Sequence, residues 1–328
     1  MKTPYSLTQL CAAALLFAAA VPSGLAQAPY PSQQIRIICP FPAGGGTDLT
    51  SRLLGEQLHR ILGQPVIVDN RTGASGMVGT GAAAKSPADG YTLLVASGEI
   101  AVNPHLYPKM AYDWEKDLQP ITLLVKVPNV LAVNAANVPV HSVKEFIDWA
   151  KAKGGKMNYS SLGNGSSAHL TMELFLAEAG ITATHIPFNG SPPAAMAVAQ
   201  GEADATFMVA PALLAHVQSG KVRLLAVSSV QRPDSLKDLP TLADGGLKNV
   251  DSLAWNGLFV PTGTPDAVVQ KINADVNAAL ADAAVKDTLG KQGLTPVGGS
   301  VAQFREAVQA DTKRWGAIIS RIGLKIDQ

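Results

Sequence analysis

Short, continuously apolar runs alternate along this chain with longer segments whose apolar positions recur at helical spacing. A strand-like run at 35–39 passes through three glycines into a helical pattern at 49–62. A short apolar strand at 65–70 follows, then a Gly-rich turn at 73–81 leading into a helical stretch at 82–85, then a strand at 91–96 that ends at Ser97. This β-α-β-α-β order predicts a largely parallel sheet with helices on both faces. Ligands of such sheets bind at the carboxyl ends of the strands, which places residues 44–48 and 97–99 at a candidate site.

Residues 121–134 read as two strand-like runs broken by Pro128, the first crossing into a second domain. There the pattern predicts helices at 143–153, 167–178, 193–200 and 211–219, and strands at 158–161, 184–187, 203–209 and 222–228. Ser142 is placed as the cap of the first of these helices. Residues 253–260 look like the return crossing, and helices follow at 265–280, 283–292 and 301–322. Thr264, Pro265 and Ser300 mark helix starts. The expected organisation is therefore a discontinuous first lobe (27–127 with 256–328) and an inserted second lobe (128–255). Two crossovers make a hinge, and a cleft between lobes is a common ligand site.

The amino-terminal segment predicts where the protein works. Lys2, an apolar stretch at 10–21 and the small residues Gly24 and Ala26 form the pattern of a secretory signal peptide, cut after Ala26. The apolar run is too short to span a membrane. Cys11 leaves with that segment, so Cys39 has no partner for an internal disulfide and reads as a core thiol. The formal net charge is +1, and no basic stripe points to nucleic acid. His105, His141, His185 and His216 lack metal-ligand spacing, so no metal or other cofactor is expected.

The candidate chemistry lies in two similar junctions. Ala43-Gly44-Gly45-Gly46-Thr47-Asp48 joins a strand to a helix, and Gly163-Asn164-Gly165-Ser166-Ser167-Ala168-His169 does so again. Glycines let a ligand approach bare amides, and a helix start adds unpaired donors and partial positive charge. Taken alone, Asp48, Ser166 and Ser167 are as well explained as helix-start residues, and His169 as a structural hydrogen-bonding group. No Gly-Lys-Ser/Thr follows the glycines, the third glycine of a dinucleotide fingerprint is missing, and no Gly-x-Ser-x-Gly elbow occurs.

Phe41-Pro42-Ala43-Gly44-Gly45-Gly46-Thr47-Asp48, Pro87-Ala88-Asp89-Gly90-Tyr91-Thr92-Leu93-Leu94, Asn103-Pro104-His105-Leu106-Tyr107, Gly163-Asn164-Gly165-Ser166-Ser167-Ala168-His169-Leu170, His185-Ile186-Pro187-Phe188 and Pro261-Thr262-Gly263-Thr264-Pro265 stand in this order along nearly the whole mature chain. The set resembles the periplasmic receptors of tripartite tricarboxylate transporters, the Bug family. The resemblance implies an α/β, two-lobed periplasmic-binding-protein fold of the type II-like, Venus flytrap kind, each lobe a mostly parallel sheet flanked by helices. It implies a receptor, not an enzyme, that delivers a small organic carboxylate to transporter membrane subunits and works as a monomer in the periplasm. A receptor serving a membrane signalling partner is the alternative, and a hydrolase ranks below it.

Carried over by matching positions, Ala43, Gly44, Gly45, Gly46, Thr47 and Asp48 would form one half of a carboxylate clamp, with Phe41 as a further ligand-binding residue. Ser160, Ser161, Gly163, Asn164, Gly165, Ser166 and Ser167 would form the other, with His169 as a further ligand-binding residue. Ser97, Gly98, Glu99, Phe188, Asn189, Gly190, Phe207 and Met208 would face the rest of the ligand. Departures lie at Phe188-Asn189-Gly190, where the family's usual Tyr-Lys-Gly is replaced, at Met208-Val209, and at Glu99. They imply a more apolar distal pocket with one acidic group. A second charged carboxylate is poorly served beside Glu99. The expected ligand has one clamped carboxylate and a less acidic, aromatic remainder, with a dicarboxylate as the other possibility.

Overall fold

The computed structural model describes residues 30–230 and 232–325. The signal-peptide expectation and Cys11 fall outside them. The first sheet opens with β1 (Ile35–Cys39), α1 (Gly46–Leu62), β2 (Val66–Asn70), α2 (Met77–Ala84), β3 (Thr92–Ser97) and α3 (Glu99–Leu106). A one-turn helix, α4 (Trp114–Asp117), leads into β4 (Leu118–Asn134), which has 17 residues. The second sheet and its helices follow as α5 (Val143–Ala152), β5 (Asn158–Ser161), α6 (Ser167–Ala179), β6 (Thr184–Pro187), α7 (Ser191–Gln200), β7 (Ala205–Val209), α8 (Leu214–Gln218) and β8 (Val222–Val227). The return runs through β9 (Leu253–Pro261), α9 (Asp266–Ala281), α10 (Ala283–Lys291), β10 (Thr295–Gly298) and α11 (Val301–Ile322).

The strand order is β2-β1-β3-β9-β4-β7-β5-β6, with β8 and β10 also paired to β4. Strands β1, β2 and β3 run parallel, as do β5, β6 and β7. Every antiparallel pair involves β4 or β9, the two strands that pass between the lobes. Pro128 does not break the chain into two strands. It stands where β4 leaves β9, since Pro128 pairs with Leu253 while Asn129 already pairs with Val209 of β7. A residue without an N–H is tolerated where the ladder changes partner.

Each lobe has its own core. Leu94, Trp114, Phe259 and Phe304 centre one; Phe146, Tyr159, Phe175 and Phe207 centre the other. Cys39 is fully buried at the end of β1, where its thiol donates to the Phe41 carbonyl, and burial raises its pKa. The carboxyl-terminal helix α11 packs on α3 and β4 of the first lobe and reaches α6 of the second. Its start carries a reciprocal cap between Ser300 and Gln303.

Two elements escape the apolar pattern. Helix α3 contains Pro104, a residue that normally ends a helix, but it sits inside this two-turn segment. The strand β10 is only half-buried and gains its conformation by pairing with Leu123, Val125 and Lys126 of β4. Residues 211–219 are not one helix: a 3-10 turn at Ala210–Ala212 precedes the five residues of α8.

Candidate functional site

Four helix starts surround one chamber between the lobes. Gly46 and Thr47 come from the start of α1, Gly98 and Glu99 from α3, Ser167 from α6 and Ser191 from α7. Val127, Leu162, Val209, Ala254, Trp255, Asn256 and Leu294 also line this chamber of about 40 Å³. The starts of α1 and α7 carry no side-chain cap, so their first amides remain available to another acceptor, whereas the Glu99 carboxyl engages the first amides of α3 and α6. Each start contributes partial positive charge of the same sign. Among the described residues that line the chamber, none is Lys, Arg or His, and Glu99 is its one ionisable group.

The first junction is held rigidly from behind. Helix α1 starts at Gly46, three residues before the apolar period begins, so Thr47 and Asp48 lie inside its first turn. The Gly44 N–H donates to Asp48 Oδ2 at 2.9 Å, as does Arg52 Nε, and Asn70 Nδ2 donates to Asp48 Oδ1 at 2.9 Å. Arg52 heads the causes that lower the Asp48 pKa, ahead of the Gly44 amide and Asn70, and together they outweigh burial. Asp48 is thus engaged by its own loop. Asn256 on the crossing strand β9 donates from Nδ2 to Thr47 Oγ1 at 3.1 Å, which leaves the Thr47 hydroxyl proton free to serve as a donor.

The second junction rests on stacked rings. Tyr159, His185 and His169 stack, with the two imidazoles 4.0 Å apart between centroids. The Gly165 N–H donates to His169 Nδ1 at 3.0 Å, and His185 Nε2 bonds to Ser161 Oγ at 2.7 Å. Ser166 caps α6 by accepting the His169 N–H. Burial pushes the His169 pKa down to about 3, helped by the neighbouring imidazole, and that of His185 to about 4. Both rings are neutral at ordinary pH and shape the loop.

A wider chamber of about 260 Å³ lies at the mouth of the cleft. It is lined by Phe41, Pro42 and the 72–76 turn of the first lobe, and by Gly163, Asn164 and residues 187–190 of the second, with Tyr107 between them. Leu162 lines both chambers. The lobes touch here. Ser75 Oγ donates to the Asn164 carbonyl at 2.6 Å, and a Cβ on Gly190 would stand 2.6 Å from Pro42 Cδ.

Of the positions expected at a ligand, Gly46, Thr47, Ser97, Gly98, Glu99 and Ser167 line the inner chamber. Phe41, Gly163, Asn164, Phe188, Asn189 and Gly190 line the outer one. None of the remaining expected positions lines either chamber: Ala43 and Gly44 are exposed, while Gly45, Asp48, Ser160, Ser161, Gly165, Ser166 and His169 are buried. Phe207 and Met208 are corrected: both are fully buried in the core of the second lobe, and Val209 lines the inner chamber instead. The pattern leaves out Ser75, Tyr107, Ser191 and Asn256. Ser75 lies in a Gly-rich turn, Tyr107 ends α3, Ser191 opens α7 and Asn256 lies within β9, and no spacing distinguishes them. Trp255 combines two roles, lining the chamber while its Nε1 donates to Asp311 Oδ2 at 2.8 Å. No group of three or more His, Cys, Asp or Glu among the described residues is placed to hold a metal ion.

Comparison with known proteins agrees along nearly the full length. The family model described as the tripartite tricarboxylate transporter family receptor matches residues 50–324. Protein BugT of Bordetella pertussis is 37% identical over 299 residues, covering 90% of this chain and 91% of that protein. The structure of R. palustris Rpa4515 with adipate superposes with a TM-score of 0.88 at 33% identity, covering 90% of this chain and 99% of the other. MatC from Rhodopseudomonas palustris, with bound malate, gives a TM-score of 0.82 at 29% identity, covering 88% and 100%.

Proposed function

Because the chain belongs to the tripartite tricarboxylate transporter receptor family, we propose that its inner chamber seats one carboxylate on main-chain amides from both lobes and that closure presents the loaded protein to a membrane permease. It is a solute receptor for small organic acids, not an enzyme, and its family works in the periplasm. The observation that carries the clamp reading is the convergence of four helix starts on a chamber that lacks a cationic side chain. Adipate and malate, bound by the two relatives, are acids of the size such a cleft would take.

The inner chamber, at about 40 Å³, has room for a group the size of a carboxylate but not for a whole acid. An acid therefore enters an opened cleft, docks its carboxylate, and extends its remainder past Leu162 into the outer chamber. Charge-assisted hydrogen bonds of about 1.5–3 kcal/mol each then favour the closed arrangement. Only the difference in affinity between open and closed forms shifts that balance. Residues 27–127 with 256–328 would move against 128–255 about β4 and β9. Export with cleavage after Ala26 and action as a monomer complete the reading.

The test is a thermal-shift screen of the mature chain against aliphatic and aromatic acids, followed by calorimetry. Stabilisation by at least one carboxylate, with the acid recovered unchanged, is expected. A protein that no acid stabilises, or that turns one over, refutes the reading.

A further inference from the structure

Glu99 is the one ionisable side chain among the described residues that line the inner chamber, and no cationic side chain faces it there. Its side chain is 4% exposed and lines the inner chamber together with Gly46, Thr47, Ser97 and Ser167. Ser97 Oγ donates to it, and its own amide and the Ser167 amide of the opposite lobe also favour its ionised form. Behind it, a second small chamber is lined by Thr80, Asn103 and Tyr112. Among the described residues lining these chambers and the outer one, none is Lys, Arg or His. A buried carboxyl without a cation is costly when ionised. Desolvation accordingly raises its pKa.

The cleft is therefore dipolar. Helix starts favour negative charge, and a carboxyl within the same chamber of about 40 Å³ favours positive charge. A ligand that satisfies both has a carboxylate and a cation separated by one or two bonds. The outer chamber sets the remainder, since Phe41, Pro42, Tyr107, Leu162, Pro187 and Phe188 offer apolar and aromatic surface. We propose that Glu99 is the counter-charge for a ligand ammonium, and that this receptor selects α-amino acids with apolar or aromatic side chains over acids bearing a second carboxylate. This rests on the carboxylate-clamp reading above and adds a specificity-determining residue to it. Binding transfers no covalent bond. The Glu99 carboxyl is ionised when the ammonium arrives, and any proton it held passes to solvent.

Four acids share a benzyl group and one carboxylate and differ only at the α-carbon: phenylalanine (ammonium), phenyllactate (hydroxyl), 3-phenylpropionate (hydrogen) and benzylmalonate (second carboxylate). Calorimetry of the mature wild-type chain should give phenylalanine at least tenfold tighter binding than 3-phenylpropionate, with benzylmalonate weakest. In Glu99→Gln, phenylalanine should lose that advantage while 3-phenylpropionate binds as well as before or better. The wild-type ranking stands as a test even if the variant fails to fold. Phenylpropionate or benzylmalonate binding as tightly as phenylalanine overturns the proposal. So does a wild-type protein that binds adipate or malate but none of the four, and that result leaves the receptor reading intact. Failure to bind any of the six acids overturns both.

Discussion

Acidification should loosen the second junction, and the size of the effect follows from two imidazoles. His169 and His185 are held neutral, with pKa values of about 3 and about 4. In the unfolded chain an imidazole titrates near about 6.5. Between those values the unfolded state binds more protons than the folded state, so stability rises with pH and is lost as pH falls below about 6.5. At pH 5 the linkage amounts to about 2 kcal/mol for each ring, and the figure for His185 is reduced to about 1 kcal/mol because its ring is partly exposed and screened by solvent. Together, about 3 kcal/mol is a large share of a net stability of about 5–15 kcal/mol. Glu99 and Asp311, whose pKa values burial raises, act in the opposite sense, because folding makes them hold protons more readily. Asp48, whose pKa is lowered, loses its contribution only at more acid pH. The measurement is therefore a difference. Urea unfolding at pH 7.5 and pH 5 is compared between the wild type and the double variant His169→Gln, His185→Gln, which cannot titrate there. The wild type should lose about 3 kcal/mol more than the variant. Equal losses in both would refute the assignment of neutral, buried rings.

The remaining predictions concern the junctions and their contact. Gly190→Ala places a Cβ 2.6 Å from Pro42 Cδ of the other lobe at a φ of +103°, whereas Gly220→Ala, at φ +71°, meets nothing within 4 Å. Both variants should lose stability from backbone strain of about 1 kcal/mol or more, but only Gly190→Ala should weaken binding of adipate or phenylalanine in calorimetry and enlarge the protein in solution scattering. A Cβ on Gly45 would meet Pro42 O and Ser191 Oγ at 3.6 and 3.7 Å, so Gly45→Ala should bind nearly as wild type while the larger Gly45→Val binds at least tenfold more weakly without unfolding. Asp48→Ala strips the Gly44 amide, Arg52 and Asn70 of their shared acceptor and should lower stability by about 1–3 kcal/mol in thermal unfolding.

The periodic order of strands and helices, the two crossings and the glycine junctions were legible in the sequence because each depends on neighbours within a few residues. The bounds of β5, β6 and α11 follow directly from such patterns, helped by Ser300 and by the left-handed Gly323 that ends α11. Helix α3, with Pro104 inside it, and the edge strand β10 were not legible, since packing on α11 and pairing with β4 supply what their own residues lack. Both faces of β7 are covered, Phe207 by one core cluster and Met208 by another, so only Val209, at the carboxyl end of the strand, reaches the cleft. Local pattern likewise identified two anion seats and placed residues 97–99 at the same strand ends, but tertiary structure alone made Glu99 the start of a helix, added the start of α7 to the same chamber and left Glu99 there without a cation. Amide dipoles and a buried carboxyl act over a few ångströms of space, and only the folded chain brings residues 46, 99, 167 and 191 within that range.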